Sequence, residues 1–267
     1  MRGGLPQGWK MDNGRSKMRG MTMDEVFKHT FKAIKKQLDE RRDEGRRLWQ
    51  QRLSTASEFC QAVVSNGYLT EEQMQRAAQR YRLGASRDGG VIFWQIDEFD
   101  QLRDGKIMHY RPDCHRDHDR KPTWTAYLLR KHGKLPKDWN TDHCLFGLHL
   151  LMEDVRCKIA DVKVAVVEAE KTAVIMSEVK PDYVWLATGG KTELNVAKLR
   201  PLEGHRIILF PDTDEDGQTY RDWYDVAEAA SDVFGHPVTI SSILEQRATA
   251  AQKAAKIDLV DLLFPQP

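Results

Sequence analysis

Five carboxylates stand just past apolar runs between Val164 and Gly217. Glu168 and Glu170 follow Val-Ala-Val-Val, and Asp212, Asp214 and Asp216 follow Ile-Ile-Leu-Phe-Pro. Two aspartates at i and i+2, placed where a chain leaves strand geometry, can reach one ion. Mg²⁺ takes one or two carboxylates and leaves its other octahedral positions to water and phosphate. The matching chemistry is phosphoryl transfer, which needs charge neutralisation and positioning more than covalent help. Asp212 and Asp214 are the expected ligands and Asp216 an outer-sphere contact, with Gly217 allowing the turn behind them. The plainer reading makes Asp214 or Asp216 a helix N-cap.

For these acids to meet, the chain must bring separate strand ends together. Val164–Val167, Tyr183–Ala187 and Arg206–Phe210 are short runs rich in Val, Ile, Leu, Phe and Trp, the pattern of strands buried on both faces. Each is followed by a polar turn and a helix-like segment, which predicts parallel βαβ units. Functional groups in such sheets gather at the carboxyl ends of the strands. Glu168 would then approach Asp212 from a neighbouring strand, and close carboxylates raise one another's pKa unless a cation compensates. Lys171, in the first turn after Glu168, and Gly189-Gly190-Lys191, after the second run, are candidate nucleotide-phosphate contacts, because glycines permit close backbone approach and lysine adds charge. Gly189-Gly190 as a plain tight turn is the alternative. The Gly-Lys-Thr here is not a nucleotide-triphosphate P-loop, since Trp185 stands where that motif needs its first glycine.

A glutamate closing one strand, in Val-Val-Glu-Ala-Glu-Lys-Thr-Ala, and an Asp-x-Asp closing a later one, in Phe-Pro-Asp-Thr-Asp-Glu-Asp-Gly, resemble the Toprim domain of bacterial-type primases, topoisomerases and related nucleases. The resemblance covers about residues 160 to 240. It extends upstream to landmarks similar to those of a primase catalytic core: Tyr81-Arg82-Leu83-Gly84, a strand pair over Val91–Tyr110, a basic loop, and Leu145-Phe146-Gly147-Leu148. Toprim-like proteins of mobile elements look alike in the same way. This resemblance implies Glu168 as general acid/base or metal ligand beside Asp212 and Asp214, Mg²⁺ or alternatively Mn²⁺ as cofactor, and nucleoside triphosphates and single-stranded DNA as partners. A replicative helicase is a further candidate partner. It implies primer synthesis, with Toprim nuclease activity or a non-catalytic DNA-binding role in mobile-element replication as alternatives. Two departures stand out: Ala169 occupies the position where a glycine commonly follows the motif glutamate, and no cysteine-rich zinc ribbon precedes the core.

The rest of the chain supplies charge and scaffolding. Its 267 residues, 40% of them hydrophobic, suffice for one large or two small domains. Forty-one Lys/Arg against forty Asp/Glu leave almost no net charge, yet residues 1–52 hold fourteen basic against seven acidic side chains. A neutral total therefore does not exclude a nucleic-acid partner. No apolar run reaches the ~20 residues of a membrane helix, so a membrane partner is not expected. Four cysteines without Cys-x-x-Cys spacing suggest reduced thiols and a cytoplasmic location. Residues 1–20 read as a disordered basic arm and 21–84 as a helical region. Within it, a long charged helix runs over Met23–Leu53, a helix start lies at Ser54-Thr55, and a capping box starts at Thr70.

Residues 85–158 read as a small α+β module with a hairpin turning at Asp104-Gly105, a short helix at Trp124–Lys131, and a helix over Leu145–Leu151 leading into the α/β domain of 159–267. Its Lys106, Arg111, Arg116, Arg130 and Lys131, interleaved with Tyr110, Trp124 and Tyr127, are the expected nucleic-acid surface, since cations hold backbone phosphate while rings stack bases. A solvated polar loop is the alternative. The pairs Cys114-His115 and His143-Cys144 lack zinc-ligand spacing.

Overall fold

The computed structural model describes residues 23–153 and 162–265. The basic arm expected at residues 1–20 and the boundary expected at 158/159 lie outside these described residues. The charged N-terminal stretch forms helix α1 (Met23–Gln50), whose last turn buries Trp49 beneath the Arg82 guanidinium, 4.5 Å from the ring centroid. Helices α2 (Glu58–Ser65) and α3 (Glu71–Arg80) follow. The α3 start is a full capping box, the Thr70 hydroxyl accepting from the Gln73 amide and the Gln73 side chain from the Thr70 amide. The start of α2 lies later than expected. Ser54 spends its hydroxyl on the Ala56 amide within a turn, and Ser57 accepts from Cys60 N–H as the true cap.

Four strands, β1 (Gly84–Ala85), β2 (Val91–Ile96), β3 (Leu102–Met108) and β4 (Thr123–Trp124), pair antiparallel in that order. Alternation along β2 sends Val91 and Phe93 to one face and Ile92, Trp94 and Ile96 to the other, so each face packs on its own core. The hairpin turns at Asp97–Gln101 rather than at Asp104-Gly105. Asp97 accepts there from the Phe99 and Gln101 amides and Asp100 takes φ +60°. Gly105 is instead a mid-strand residue opposite Trp94, where any Cβ would stand 2.5 Å from the indole. Asp104 turns its buried carboxylate to the start of α4 (Thr125–Lys131), accepting from the Thr125 hydroxyl at 3.0 Å and the Ala126 amide at 2.9 Å.

Leu145–Leu151 is not the expected helix. Phe146 exchanges both backbone hydrogen bonds with Ala187, at 2.8 and 3.1 Å, and Gly147 at φ +85° swings the chain over the Tyr81 ring. Only α5 (Leu150–Glu153) is helical. Sheet pairing satisfied those backbone groups, and apolarity alone could not distinguish the two outcomes.

The rest of the chain is the predicted α/β unit. In order it runs β5 (Lys163–Val167), α6 (Glu170–Val179), β6 (Tyr183–Ala187), α7 (Val196–Leu199), β7 (Arg206–Phe210), α8 (Gln218–Phe234), β8 (Thr239–Ile240), α9 (Ile243–Arg247), α10 (Ala250–Ala254) and α11 (Leu259–Leu263). The four strands are parallel in the order β6-β5-β7-β8. Val167, last in β5, lies beside Ala187 on one side and Phe210 on the other, so three strand ends open at one edge. Helices α2 and α3, one face of the antiparallel sheet and the parallel sheet share one apolar core. Tyr81 joins them, fully buried, its ring stacked on Phe146 at 5.0 Å and its hydroxyl donating to the Trp185 carbonyl at 2.7 Å. No described helix is long and apolar enough to cross a membrane.

Candidate active site

Because β5 and β7 are neighbours in register, Glu168 and Asp212 leave the sheet side by side. Both line a cavity of about 560 Å³ over the strand ends. Burial raises both carboxyls above their usual range, Asp212 well above it. For Asp212 the negative charges of Asp258 and Glu168 add to that rise, and Lys171 only partly offsets it. For Glu168 the Lys191 and Lys106 ammonium groups oppose the rise without cancelling it.

Asp214, expected beside Asp212, is not in this cavity. Its carboxylate accepts from Lys191 at 2.8 Å, from the Thr219 amide at 2.9 Å and from the Thr219 hydroxyl, and so caps the first turn of α8. Burial would raise this carboxyl, but the bonds from Lys191 and Thr219 prevail and hold it well below the usual range. The i, i+2 spacing that suggested a shared ion therefore divides the two aspartates, one to the cavity and one to the helix. Its other oxygen, Oδ1, is buried and has no hydrogen-bond partner. Asp216 is exposed away from the cavity, and its carbonyl accepts from Arg221 at 2.9 Å.

The third acid near the pair is Asp258. It caps α11, accepting from the Val260 and Asp261 amides at 2.8 and 3.0 Å. Its second oxygen accepts from the Thr172 hydroxyl at 2.7 Å and lies 3.1 Å from Lys171 Nζ. Burial favours the neutral acid, but the Lys171 charge and these hydrogen bonds outweigh it, leaving the Asp258 carboxyl lowered. Lys171 is thus an internal counter-cation between Asp258 and Asp261. Burial acts against its charge, yet the two aspartates raise its pKa overall. The sequence held a signal for Asp258, since Asp258-x-x-Asp261 ahead of an apolar pair is a capping pattern. Nothing local linked it to residue 212.

Lys106, expected on nucleic acid, reaches across from β3 instead. Its ammonium donates to the Gly189 carbonyl at 2.6 Å and to both Glu170 oxygens at 3.1 and 3.3 Å. The pair is nearly dry, with side chains 12% and 3% exposed. Gly189, at φ +84°, has Glu170 Oε1 3.0 Å from where a Cβ would be, so the loop needs glycine to close over this pair. The Gly189 amide and the Thr188 hydroxyl both donate to the Glu168 carbonyl, which fixes the acid's backbone to the same loop. Gly190 also lines the cavity.

Arg111 and Arg116 are exposed on the cavity wall, and neither guanidinium makes an ion pair among the described residues. Arg130 and Lys131 lie elsewhere. Helix α4 packs Ala126 against Ile107 and Trp94, the face of the antiparallel sheet opposite Lys106, and Arg130 donates to the Trp139 carbonyl at 3.2 Å. Cys114 is buried in the core, with burial pushing its thiol up to about 12. His143 stacks on Trp124 at 3.9 Å.

Among the described residues no three His, Cys, Asp or Glu side chains form a group arranged to ligate a metal. Of the acids lining the cavity, Glu170 is paired with Lys106 and Asp258 and Asp261 with Lys171, which leaves Glu168 and Asp212 as the all-oxygen donors with no ion pair among the described residues. That fits Mg²⁺, which asks for one or two carboxylates and open positions.

These features define an α/β protein with a parallel sheet, flanked by helices and preceded by an antiparallel α+β module, whose strand ends hold two acids lining one cavity. The chain belongs to the family described as a domain of unknown function, DUF6371, whose model matches residues 57–213. Comparison with curated proteins gives no match. Similar solved structures include the primase fragment of the bacteriophage T7 primase-helicase protein, at 20% identity and TM-score 0.39, covering 68% of this chain. The chain spans 63% of that structure's length, less than two thirds. Another is the DnaG primase catalytic domain bound to ssDNA, at 15% identity and TM-score 0.48, covering 86% of this chain and 84% of that one.

Proposed function

We propose that this protein is a Toprim-type, Mg²⁺-dependent nucleotidyltransferase that synthesises short primers from nucleoside triphosphates on single-stranded DNA. The observation that carries the reading is one cavity with an acidic floor, Glu168 and Asp212, and a basic wall, Arg111 and Arg116. Glu168 and Asp212 would hold the ion, with Mn²⁺ as an alternative. When bound, such an ion neutralises phosphate oxygens and orients the attacking hydroxyl. Of the two acids Glu168 is the one assigned to proton transfer. Burial raises its carboxyl, so it holds a proton more readily than an ordinary glutamate does, which suits a group that exchanges one. Arg111 and Arg116 are the assigned contacts to template phosphate, being exposed cations that make no ion pair among the described residues, and Tyr110 beside them lines the same wall. Asp214 and Lys191 act from the α8 side to hold the loop after β6, and Lys171 holds α11 against the site.

The test is the purified chain incubated with labelled nucleoside triphosphates, single-stranded DNA and Mg²⁺, beside the Glu168→Gln variant. Extended products that the variant does not make support the reading. Shortening of the DNA in place of new product moves the assignment to a nuclease using the same acids.

A further inference from the structure

Among the described residues, four non-glycine residues adopt the left-handed backbone region: Arg82, Asp100, Cys114 and Lys256. A side chain there is disfavoured, and such conformations persist where the rest of the molecule has a use for them. For three of the four the use is visible. Arg82 packs on Trp49 and pairs with Asp100, Asp100 pairs with both Arg82 and Arg46, and Cys114 is 1% exposed in the core.

Lys256 has no such use among the described residues. It sits at φ +56° just past α10, its amide donating to the Lys253 carbonyl at 3.0 Å while the Ile257 amide donates to Gln252 at 3.3 Å. That pair of bonds is the helix-ending motif whose left-handed position usually carries glycine. Here it carries a lysine whose exposed side chain makes no hydrogen bond or ion pair with the described residues and lines the cavity that holds Glu168 and Asp212. Lys253, one turn earlier, is by contrast paired with Glu245.

We propose that Lys256 is a phosphate-binding residue of this cavity, its side chain presented at the cavity wall by a backbone conformation that glycine would adopt more easily. The ligand chemistry is a nucleotide phosphate, carried either by the DNA strand or by a nucleoside triphosphate. The inference rests on the nucleotide-binding reading of the cavity.

Lys256→Gly separates a ligand role from a structural one, because it relieves the backbone while removing the charge. The melting temperature should rise by about 2–4 °C. In the same variant, affinity should fall at least about fivefold for a labelled oligo(dT), measured by anisotropy without nucleotide, or for ATP, measured by calorimetry without DNA. A loss confined to the oligo(dT), with the slope of log affinity against log salt reduced by about 0.7, puts the phosphate on the strand. A loss confined to ATP puts it on the triphosphate. Unchanged affinity in both arms, or a lowered melting temperature, overturns the assignment of Lys256 alone. If the unaltered chain binds neither probe, the nucleotide-binding reading falls and this assignment with it.

Discussion

Replacing Lys106 with Met would remove a cation that reaches from the antiparallel sheet into the loops around Glu168. Lys106 donates to both oxygens of Glu170 and to the Gly189 carbonyl, and both partners of the ion pair are almost fully buried. Breaking a buried pair from one side leaves an uncompensated charge, which costs about 3–5 kcal/mol. At ~2–4 °C per kcal/mol for a chain of this size, the melting temperature should fall by roughly 10 °C. Removing both charges, with Lys106→Met and Glu170→Gln together, should recover much of that loss, because no lone charge stays behind. The salt dependence of single-stranded DNA binding should stay as it is, since this ammonium is committed within the protein. Arg111→Ala, by contrast, should reduce the slope by about 0.7, one single-strand phosphate contact. Thermal denaturation and anisotropy titrations from low to moderate salt measure both quantities. An unchanged melting temperature together with a flattened salt slope for Lys106→Met would refute this reasoning and return Lys106 to the DNA surface.

Two aspartates two residues apart should respond with opposite sign. Asp212→Asn should stabilise the cation-free protein by about 0.5–2 kcal/mol at pH 8, because a raised carboxyl pays a deprotonation penalty that is absent below the unfolded value, near 4, and grows as pH rises. Asp214→Ala should destabilise it by about 1–2 kcal/mol, through loss of the cap on α8 and the Lys191 pair. That difference shrinks as pH falls below the ordinary aspartate range, since the Asp214 carboxyl is lowered. Denaturant melts of both variants from about pH 2 to about pH 8, with a chelator present, decide the matter, and two shifts of the same sign would remove the division of roles drawn for the pair. Gly105→Ala should destabilise the antiparallel sheet by more than 2 kcal/mol, seen in the same melts, because its methyl would collide with the rigid Trp94 ring.

The parallel sheet was readable because its strands are short apolar runs closed by polar turns, and Val164–Val167 and Arg206–Phe210 occupy the positions that pattern predicts. Adjacency of Glu168 and Asp212 followed from the same pattern. Side-chain direction did not. Asp212-x-Asp214 looks like a single ligand pair in one dimension, and only the start of α8, which needs an acceptor for the Thr219 amide, decides that Asp214 turns away. Lys106 looked like a nucleic-acid contact for a similar reason: a basic residue on a strand carries no mark of the distant Glu170 that will claim it. Asp104-Gly105 reads as a turn by composition, yet the glycine answers to Trp94 and the aspartate to α4. Leu145–Leu151 shows the limit of apolar periodicity, because the free edge of β6 took Phe146 as a bridge partner. The C-terminal wall of the site, from Lys256 to Asp261, has no strand signal and joins the acids through tertiary contacts, Asp258 with Lys171 and the Thr172 hydroxyl, and the Thr213 amide donating to the Ile257 carbonyl.

The most direct measurement is Mg²⁺ titration calorimetry on the unaltered chain and on Asp212→Asn and Glu168→Gln, each run in two buffers of different ionisation heat. Two carboxyls lining one cavity and raised by burial and by neighbouring charge should release protons as the ion binds, so the unaltered chain should show a buffer-dependent heat. Either substitution should weaken binding at least tenfold and diminish the proton release. Binding that is equally tight in all three proteins would contradict the claim that Glu168 and Asp212 together form the cation site.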